Sequence, residues 1–255
     1  MCELFGISAK KPIDIRGYLR AFFSHSIDNP HGWGLMREIG GVQEITKEAV
    51  CAVKSALLPQ LTESAPAQKN ALAHIRYATI GRMTRENCHP FSGADISGRV
   101  WTLIHNGTIY SGIELAKYLT LQEGETDSER ILLYLIDEAN RRIREKGAPL
   151  TEEERCRFIE HTAAVLAPRN KLNFIIYDGE LMYAHKNMRE TLVYRETDEG
   201  TVFSTAPLDG GEWKSVPLTR VIVYKDGSRI FTGEPHGHEF VSSLASITEF
   251  DAMNI

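Results

Sequence analysis

The sequence predicts an α+β fold in which antiparallel sheets are covered by helices. Short apolar strand patterns occur at both ends of the chain, and two long helical patterns lie between them. Neighbouring strand patterns are joined by glycine-containing turns such as Gly40-Gly41 and Asp178-Gly179, which are typical of antiparallel hairpins. This order of elements favours antiparallel sheets with helices packed outside them and argues against a doubly wound parallel sheet.

The strand patterns come first along the chain. Residues 4–8 form an apolar run that indicates a buried strand, and such a strand would hold the residues before it rigidly. Apolar residues at helical spacing predict a helix over residues 15–27. The remaining strands predicted in this half cover residues 33–39, 42–46, 71–79 and 99–104.

Two capping patterns mark the central helices. Thr126-Asp127-Ser128-Glu129 has the spacing of a capping box and opens a helix that ends at Gly147. Thr151-Glu152-Glu153-Glu154 is a second capping box with an acidic first turn, which suits the helix dipole. Hairpin strands then follow at residues 173–177, 180–185, 192–196, 201–204, 220–224 and 228–231.

Composition excludes several classes of function. The chain has 255 residues, 42% of them hydrophobic, and a net charge of -5, so it lacks the basic footprint of a nucleic-acid-binding protein. No apolar stretch approaches 18 residues and no secretory leader is evident, so we expect no membrane partner and a cytoplasmic location. Four cysteines without C-x-x-C spacing indicate free thiols.

Cys2 is the first candidate catalytic residue. Cysteine is small enough that we expect Met1 to be removed, which leaves a thiol and a free α-amino group on one residue. An α-amino group has an unperturbed pKa of about 7.7–8, so it can act as a general base near neutral pH. One residue would then supply both the nucleophile and its base.

Further motifs follow Cys2 in a definite order. They are Asn29-Pro30-His31-Gly32-Trp33-Gly34, His74-Ile75-Arg76-Tyr77-Ala78-Thr79, Asn87-Cys88-His89-Pro90-Phe91, His105-Asn106-Gly107-Thr108-Ile109 and Thr126-Asp127-Ser128-Glu129. With Cys2 in front, the set resembles class II glutamine amidotransferases, which are N-terminal nucleophile hydrolases, and most closely their small stand-alone branch without a fused synthetase. The resemblance covers about residues 2–231.

The resemblance implies a four-layer αββα sandwich of two antiparallel sheets with flanking helices, formed by a single domain over residues 2–255. It also implies that Cys2 attacks the side-chain amide of glutamine. The Asn106 side-chain amide and the Gly107 backbone N–H would hold the oxyanion. The competing interpretation of Asn106-Gly107, taken alone, is a plain type I′ hairpin turn.

The resemblance also assigns substrate-binding residues. Arg76 would bind the substrate α-carboxylate, because its planar fork matches a carboxylate bidentately. Asp127 would bind the α-ammonium, although an acidic residue in a first helical turn is also favoured for capping. Thr79 and Gly81 would help to place the substrate from the loop that follows Arg76.

Other residues receive structural interpretations. The family does not use histidine as the base, so His74 and His89 are expected to be hydrogen-bonding residues. The His236-x-His238 pair has no third ligand at recognisable spacing, so no metal is predicted. No nucleotide-binding signature is present, so we predict no cofactor and expect any synthetic use of the ammonia to need a synthetase partner in trans.

Two departures from the family pattern leave the substrate open. His31 stands where many relatives carry an Asp, and Ser204-Thr205-Ala206 precedes Pro207-Leu208 where many carry a Glu. One alternative is a γ-glutamyl amide or peptide hydrolase that uses the same N-terminal cysteine. A second alternative is a non-catalytic glutamine-binding regulatory subunit.

Overall fold

The computed structural model describes residues 1–64 and 67–242. Its thirteen strands are β1 (Glu3–Ile13), β2 (Trp33–Ile39), β3 (Val42–Glu48), β4 (Gln68–Ile75), β5 (Phe91–Ala94), β6 (Val100–His105), β7 (Phe174–Tyr177), β8 (Met182–Lys186), β9 (Val193–Glu196), β10 (Gly200–Ser204), β11 (Lys214–Ser215), β12 (Arg220–Lys225) and β13 (Ser228–Thr232). Its α-helices are α1 (Arg16–Ser24), α2 (Leu57–Ser64), α3 (Asp127–Lys146) and α4 (Glu152–Leu166). Short 3₁₀ turns cover His25–Ile27, Ala52–Lys54, Arg85–Asn87 and Ile113–Thr120.

The strands form two antiparallel sheets. The seven-stranded sheet has the order β11-β9-β10-β1-β4-β2-β3, and the six-stranded sheet has the order β13-β12-β8-β7-β6-β5. In the first sheet β1 is central, since it pairs with β4 on one side and with β10 on the other. A strand paired on both edges has its backbone groups satisfied along its length, so the start of β1 is held in a defined position.

Three apolar clusters separate four layers. The first, between the two sheets, contains Leu4, Leu72, Ile104 and Ile175. The second packs α1 and α2 against the outer face of the seven-stranded sheet, and the third packs α3 and α4 against the outer face of the six-stranded sheet. The predicted four-layer αββα sandwich is therefore confirmed.

The burial of both sheet faces explains the N-terminal sequence. Successive side chains in a strand point to opposite faces. Leu4 accordingly joins the cluster between the sheets, and Phe5 joins the cluster under α1 and α2. Both faces of β1 are covered here, so residues 4–7 carry no polar side chain, and the buried Ser8 hydroxyl is satisfied by Gly227 N–H at 3.0 Å.

Most predicted elements are confirmed, with differences at their ends. The helix predicted over residues 15–27 is α1 followed by a 3₁₀ turn, and the hairpin at Gly40-Gly41 joins β2 to β3. The strand predicted over residues 71–79 is wrong beyond Ile75, where the chain leaves β4. Arg76 N–H still donates to Gly32 O at 2.8 Å, so the exit from the sheet is itself held in place.

The two predicted capping boxes differ. At α4 the box is complete, since Thr151 and Glu154 cap each other's backbone N–H. At α3 the Thr126 side chain accepts from Glu129 N–H, as predicted. The other half of the prediction, in which the Glu129 side chain would accept from Thr126 N–H, is wrong. The Glu129 carboxylate instead accepts from Glu123 N–H at 2.7 Å and Gly124 N–H at 2.8 Å, because the preceding loop folds back over the helix start.

None of the helices among the described residues is long and apolar enough to cross a membrane. The predicted domain, residues 2–255, includes residues 243–255, which lie outside the described residues. That boundary stays a prediction.

Replacing Leu72 by Ala tests the cluster between the sheets. Leu72 is fully buried there, so the substitution removes apolar contacts and leaves a cavity. We expect the free energy of unfolding, measured by urea denaturation, to fall by about 2–5 kcal/mol. Leu119→Ala is the matched control, because Leu119 is 58% exposed and its loss is expected to cost less than about 0.5 kcal/mol. Equal losses for the two variants would contradict the assignment of this core.

Candidate active site

Cys2 lies at the start of the central strand, beside the segment that leaves β4. The register places Glu3 opposite Ile75, which brings Cys2 next to the backbone of Tyr77. Tyr77 N–H donates to Cys2 Sγ at 3.3 Å, and the thiol donates to Tyr77 O at 3.4 Å. Burial raises the pKa of the Cys2 thiol, while the Tyr77 hydrogen bond and the charges of Arg76 and Lys171 act in the opposite direction.

Asn106 lies at the end of β6 in the other sheet. Its backbone is clamped by Asn173, which accepts from Asn106 N–H and donates its own side-chain amide to Asn106 O, each at 2.8 Å. The Asn106 side-chain oxygen accepts from Lys171 Nζ at 3.1 Å. The side-chain nitrogen of Asn106 is buried and has no hydrogen-bond partner among the described residues, so an amide donor is left available.

Gly107 follows in a position that admits no side chain. A Cβ on this residue would lie 1.9 Å from Lys171 O and 2.3 Å from His105 Nε2. Within the described part of the chain no hydrogen bond uses the Gly107 N–H, although Thr108 N–H next to it donates to Lys171 O at 3.0 Å. Two adjacent donors, one from the Asn106 side chain and one from the backbone, are therefore unoccupied.

The simple hairpin interpretation of Asn106-Gly107 is wrong. The strand before this pair, β6, is bonded to β5 and β7, and the residues that follow the pair lead into α3 instead of returning alongside β6. A type I′ turn also needs positive φ at both central residues, and neither residue is among the positive-φ positions of the described chain.

Arg76 is buried, and its guanidinium is held by the loop that follows it. Nη1 donates to Arg82 O at 3.1 Å, and Nη2 donates to Ile80 O at 2.9 Å and to Gly81 O at 3.3 Å. Carbonyl oxygens orient the cation without neutralising its charge. Among the described residues no carboxylate forms an ion pair with Arg76, so its charge is available to an anionic ligand.

Asp127 is the first residue of α3, as predicted, and its carboxylate also reaches the loop after Gly107. Oδ2 accepts from Ile109 N–H at 2.7 Å, and Oδ1 accepts from Ser128 N–H at 3.0 Å. The buried carboxylate therefore joins the helix N-terminus to the Asn106–Gly107 corner. It retains lone pairs for a cationic group, so capping and ligand binding are compatible.

Thr79 and Gly81 lie on the exposed loop after Arg76. Gly81 has φ +79° and little free space, since a Cβ would lie 3.0 Å from Asn87 Nδ2. Asn87 secures this loop, because its amide donates to Arg82 O and to Glu125 Oε2 and its oxygen accepts from Glu125 N–H. Since Glu125 lies two residues before Asp127, Asn87 couples the Arg76 loop to the start of α3.

The buried histidines around the site are neutral. Burial lowers the pKa of His74 to about 3, and burial lowers that of His89 well below its usual range. Their rings pack 4.0 Å apart, and His74 Nε2 lies 3.2 Å from His105 O. The contact of His74 agrees with its interpretation as a hydrogen-bonding residue. For His89 that expectation is wrong, because neither of its buried ring nitrogens has a hydrogen-bond partner among the described residues, and its ring packs against those of His74 and Phe91.

His31, at one departure from the family pattern, and Thr205, next to Ala206 at the other, each supply a hydrogen-bond acceptor to the backbone. His31 Nδ1 accepts from Ala78 N–H at 2.9 Å, so this ring holds the segment between Arg76 and Thr79. Thr205 Oγ1 accepts from Leu4 N–H at 2.8 Å at the start of β1. Among the described residues, no three His, Cys, Asp or Glu side chains are grouped so that they could hold a metal ion.

Sequence reasoning missed Lys171 and Asn87. Lys171 stands in the run Asn170-Lys171-Leu172-Asn173, whose two asparagines were the only local signal of a polar function. Asn87 opens the motif Asn87-Cys88-His89-Pro90-Phe91, in which only His89 is given a role from the sequence. Both contact partners that are distant in sequence, which explains why local patterns did not reveal them.

Comparisons with known proteins agree with this geometry. The family model of class II glutamine amidotransferases matches residues 1–202. An uncharacterized protein of Methanocaldococcus jannaschii is 28% identical over 267 residues, which cover 92% of this chain and 72% of that protein. YafJ of Escherichia coli is 26% identical over 245 residues, which cover 85% of this chain and 94% of that protein.

Solved structures show the same fold. A predicted glutamine amidotransferase of Pseudomonas aeruginosa has a TM-score of 0.62 at 19% identity and covers 90% of this chain and 100% of its own. The glutamine phosphoribosylpyrophosphate amidotransferase of B. subtilis has a TM-score of 0.67 at 18% identity and covers 95% of this chain and 50% of its own. Together with the family match over most of its length, these findings establish that the chain belongs to the class II glutamine amidotransferases.

Proposed function

We propose that this protein hydrolyses the side-chain amide of L-glutamine through a thioester on Cys2 and releases ammonia. The proposal is supported by the pair of unoccupied donors at Asn106 and Gly107, in a corner where Lys171 binds Asn106 Oδ1 and, before processing, also contacts Met1 next to Cys2. Amide hydrolysis needs a nucleophile and an adjacent oxyanion hole, and these groups supply both.

The reaction begins once Met1 has been removed. The freed α-amino group of Cys2 takes the thiol proton, and Sγ attacks the amide carbon to form an S–C bond. The tetrahedral intermediate collapses with cleavage of the C–N bond, and the α-ammonium returns the proton to the departing ammonia. Water then hydrolyses the thioester to glutamate and restores the thiol.

The raised pKa of the Cys2 thiol makes this base necessary. Burial disfavours the thiolate, so at neutral pH the sulfur is protonated while Met1 blocks the amine. A free amine on the same residue supplies the missing proton acceptor. The Asn106 amide and Gly107 N–H then hold the negative charge that develops on the carbonyl oxygen.

The substrate headgroup is bound at the other end of the site. Arg76 binds the α-carboxylate with a guanidinium that the carbonyls of residues 80–82 already orient. Asp127 binds the α-ammonium from the start of α3. Thr79 and Gly81 help to place the substrate from the loop that follows Arg76. Because both ionic partners are already oriented, less entropy is lost when the substrate binds. Their opposite charges favour a free amino acid over a glutamine residue within a peptide, which lacks the charged α-groups.

The ammonia acceptor lies outside these residues. The sequence carries no nucleotide-binding signature, so a synthetase in trans is the partner we propose for any synthetic use of the ammonia, and the reaction itself needs no cofactor. We propose a cytoplasmic location, where free glutamine and reduced thiols are available.

A γ-glutamyl amide hydrolase remains the second candidate. It is favoured by Ala206, which stands directly before Pro207-Leu208 where many relatives carry a glutamate, while the neighbouring Thr205 hydroxyl accepts from Leu4 N–H. Loss of that carboxylate would leave more room on the leaving-group side. Comparing initial rates on glutamine and on γ-glutamyl dipeptides separates the two, since the hydrolase would prefer the dipeptides.

Replacing Cys2 by Ala tests the nucleophile. We expect the glutaminase rate to fall at least about 10³-fold while the circular dichroism spectrum stays unchanged. Cys156→Ala is the matched control, because Cys156 is a buried thiol in α4 on the outer layer, and it should retain activity. A Cys2→Ala variant with the parental rate would overturn the mechanism, and a parent protein that binds glutamine without turnover would support the regulatory alternative.

Replacing Gly107 by Ala tests the oxyanion hole. The new methyl group would collide with Lys171 O and His105 Nε2, so the corner must shift and the donors must move. We expect kcat to fall by about 10²–10³-fold with a smaller change in KM. Gly17→Ala in α1 is the control, since a Cβ there meets nothing within 4 Å. Equal kinetics for both variants would remove Gly107 from the site.

Replacing Arg76 by Lys tests the carboxylate-binding role. Lysine keeps the charge but cannot form the bidentate fork, so we expect KM for glutamine to rise by about 10-fold or more with little change in kcat. The exposed Arg157→Lys variant controls for the general effect of the exchange. An unchanged KM would show that Arg76 does not bind the headgroup.

A further inference from the structure

Lys171 is a buried lysine without an acidic partner. Its residue is 8% exposed, and its ammonium donates to Met1 Sδ at 2.9 Å and to Asn106 Oδ1 at 3.1 Å. Among the described residues no carboxylate lies within ion-pair distance of it. Burying an unpaired cation is costly, so a lysine kept in this position indicates a role that needs its charge or its donors.

The lysine holds both members of the proposed oxyanion hole. Its backbone exchanges two hydrogen bonds with Thr108, at 3.0 Å and 3.1 Å, which places the Lys171 carbonyl directly against Gly107. Its side chain reaches back to Asn106 across 65 positions of the sequence. Lys171 thus fixes the backbone beside Gly107 and also the orientation of the Asn106 side-chain amide.

The donor character of lysine decides which way the Asn106 amide faces. The two ends of an asparagine amide have nearly the same shape, so the hydrogen-bond network sets their orientation. An ammonium can only donate, and it therefore selects the oxygen and turns the nitrogen away. That nitrogen is the buried donor without a partner.

Lys171 also acts on the nucleophile through its charge. Burial lowers the pKa of Lys171 while the neighbouring Cys2 raises it, and the reciprocal influence of Lys171 lowers the pKa of the Cys2 thiol. Removal of Met1 takes away the sulfur contact and frees an N–H donor beside the new N-terminus. A cation there disfavours protonation of the α-amine, which keeps it able to act as a base.

We propose that Lys171 is a positioning residue of this site, which holds the Asn106 amide with its N–H₂ group toward the oxyanion and stabilises the anionic forms of Cys2 and the intermediate. The proposal rests on the glutaminase function. Lys171 is a positioning residue because it acts through Asn106 and through its charge.

The test uses two variants of the full chain with Met1 removed, as verified by intact mass. Lys171→Met keeps the bulk of the side chain and removes both donor and charge, whereas Lys171→Gln keeps a donor and removes the charge. Lys186→Met is the matched control, because Lys186 is also buried and donates to Leu192 O and Ser215 Oγ, away from Cys2. The rate of Cys2 alkylation by iodoacetamide is followed against pH, with the site identified by peptide mass, alongside kcat and KM for glutamine.

We expect Lys171→Met to shift the alkylation profile upward by about one pH unit, which is about a 10-fold slower reaction at pH 7, and to lower kcat about 10²-fold with little change in KM. Lys171→Gln should share the shifted profile but recover at least about 10-fold of the lost kcat. Lys186→Met should leave both readouts unchanged.

Two outcomes would overturn the proposal. One is a folded Lys171→Met or Lys171→Gln protein whose alkylation profile and kcat equal those of the parent. The other is a loss in both Lys171 variants that matches Lys186→Met, which would make the role one of general stability. If the parent does not turn over glutamine, the glutaminase proposal fails, and the shift in Cys2 alkylation still decides whether Lys171 acts on the nucleophile.

Discussion

The position of Cys2 depends on the pairing of β1 with strands on both of its edges. β4 and β10 fix its register from either side, and its side chains are buried against the second sheet and against α1 and α2. A residue at the start of such a strand has little freedom to move. The thiol is therefore presented at a defined point, where it exchanges hydrogen bonds with the Tyr77 backbone.

The six-stranded sheet carries the amide and lysine side chains of the candidate site. Asn106 and Gly107 follow β6, and Lys171 and Asn173 precede β7, so adjacent strand ends of the six-stranded sheet form one polar corner. The apolar cluster between the sheets fixes the position of this corner relative to the seven-stranded sheet, which carries Cys2 at the start of β1. Packing density in such a layer makes the spacing rigid, and the proposed oxyanion hole needs that rigidity because its donors must be in place before charge develops.

The electrostatics of the site follow a consistent pattern. Arg76 and Lys171 are buried cations held by carbonyl or amide oxygens, and Asp127 is a buried carboxylate held by backbone N–H groups. Neutral dipoles orient these charges without cancelling them, so they remain available to a substrate of complementary charge. Burial lowers the pKa of His74 and His89, so both rings are uncharged; His74 contacts His105 O, and His89 packs between the rings of His74 and Phe91.

The local elements could be predicted from the amino-acid sequence alone. They are the N-caps of α3 and α4, the hairpin turns, the apolar start of β1 and the ordered family motifs that contain Cys2, Arg76, Asn106 and Asp127. These features depend on residues within a few positions of one another, whose propensities and spacing are readable directly. Three contacts could not be predicted in this way: Lys171 holds Asn106 across 65 positions, the loop carbonyls accept from two of the Arg76 nitrogens, and Glu129 bonds the preceding loop instead of closing its capping box. A long or polar side chain can form several alternative hydrogen bonds of similar free energy. The packing of the two sheets determines which of these partners lie within hydrogen-bonding distance.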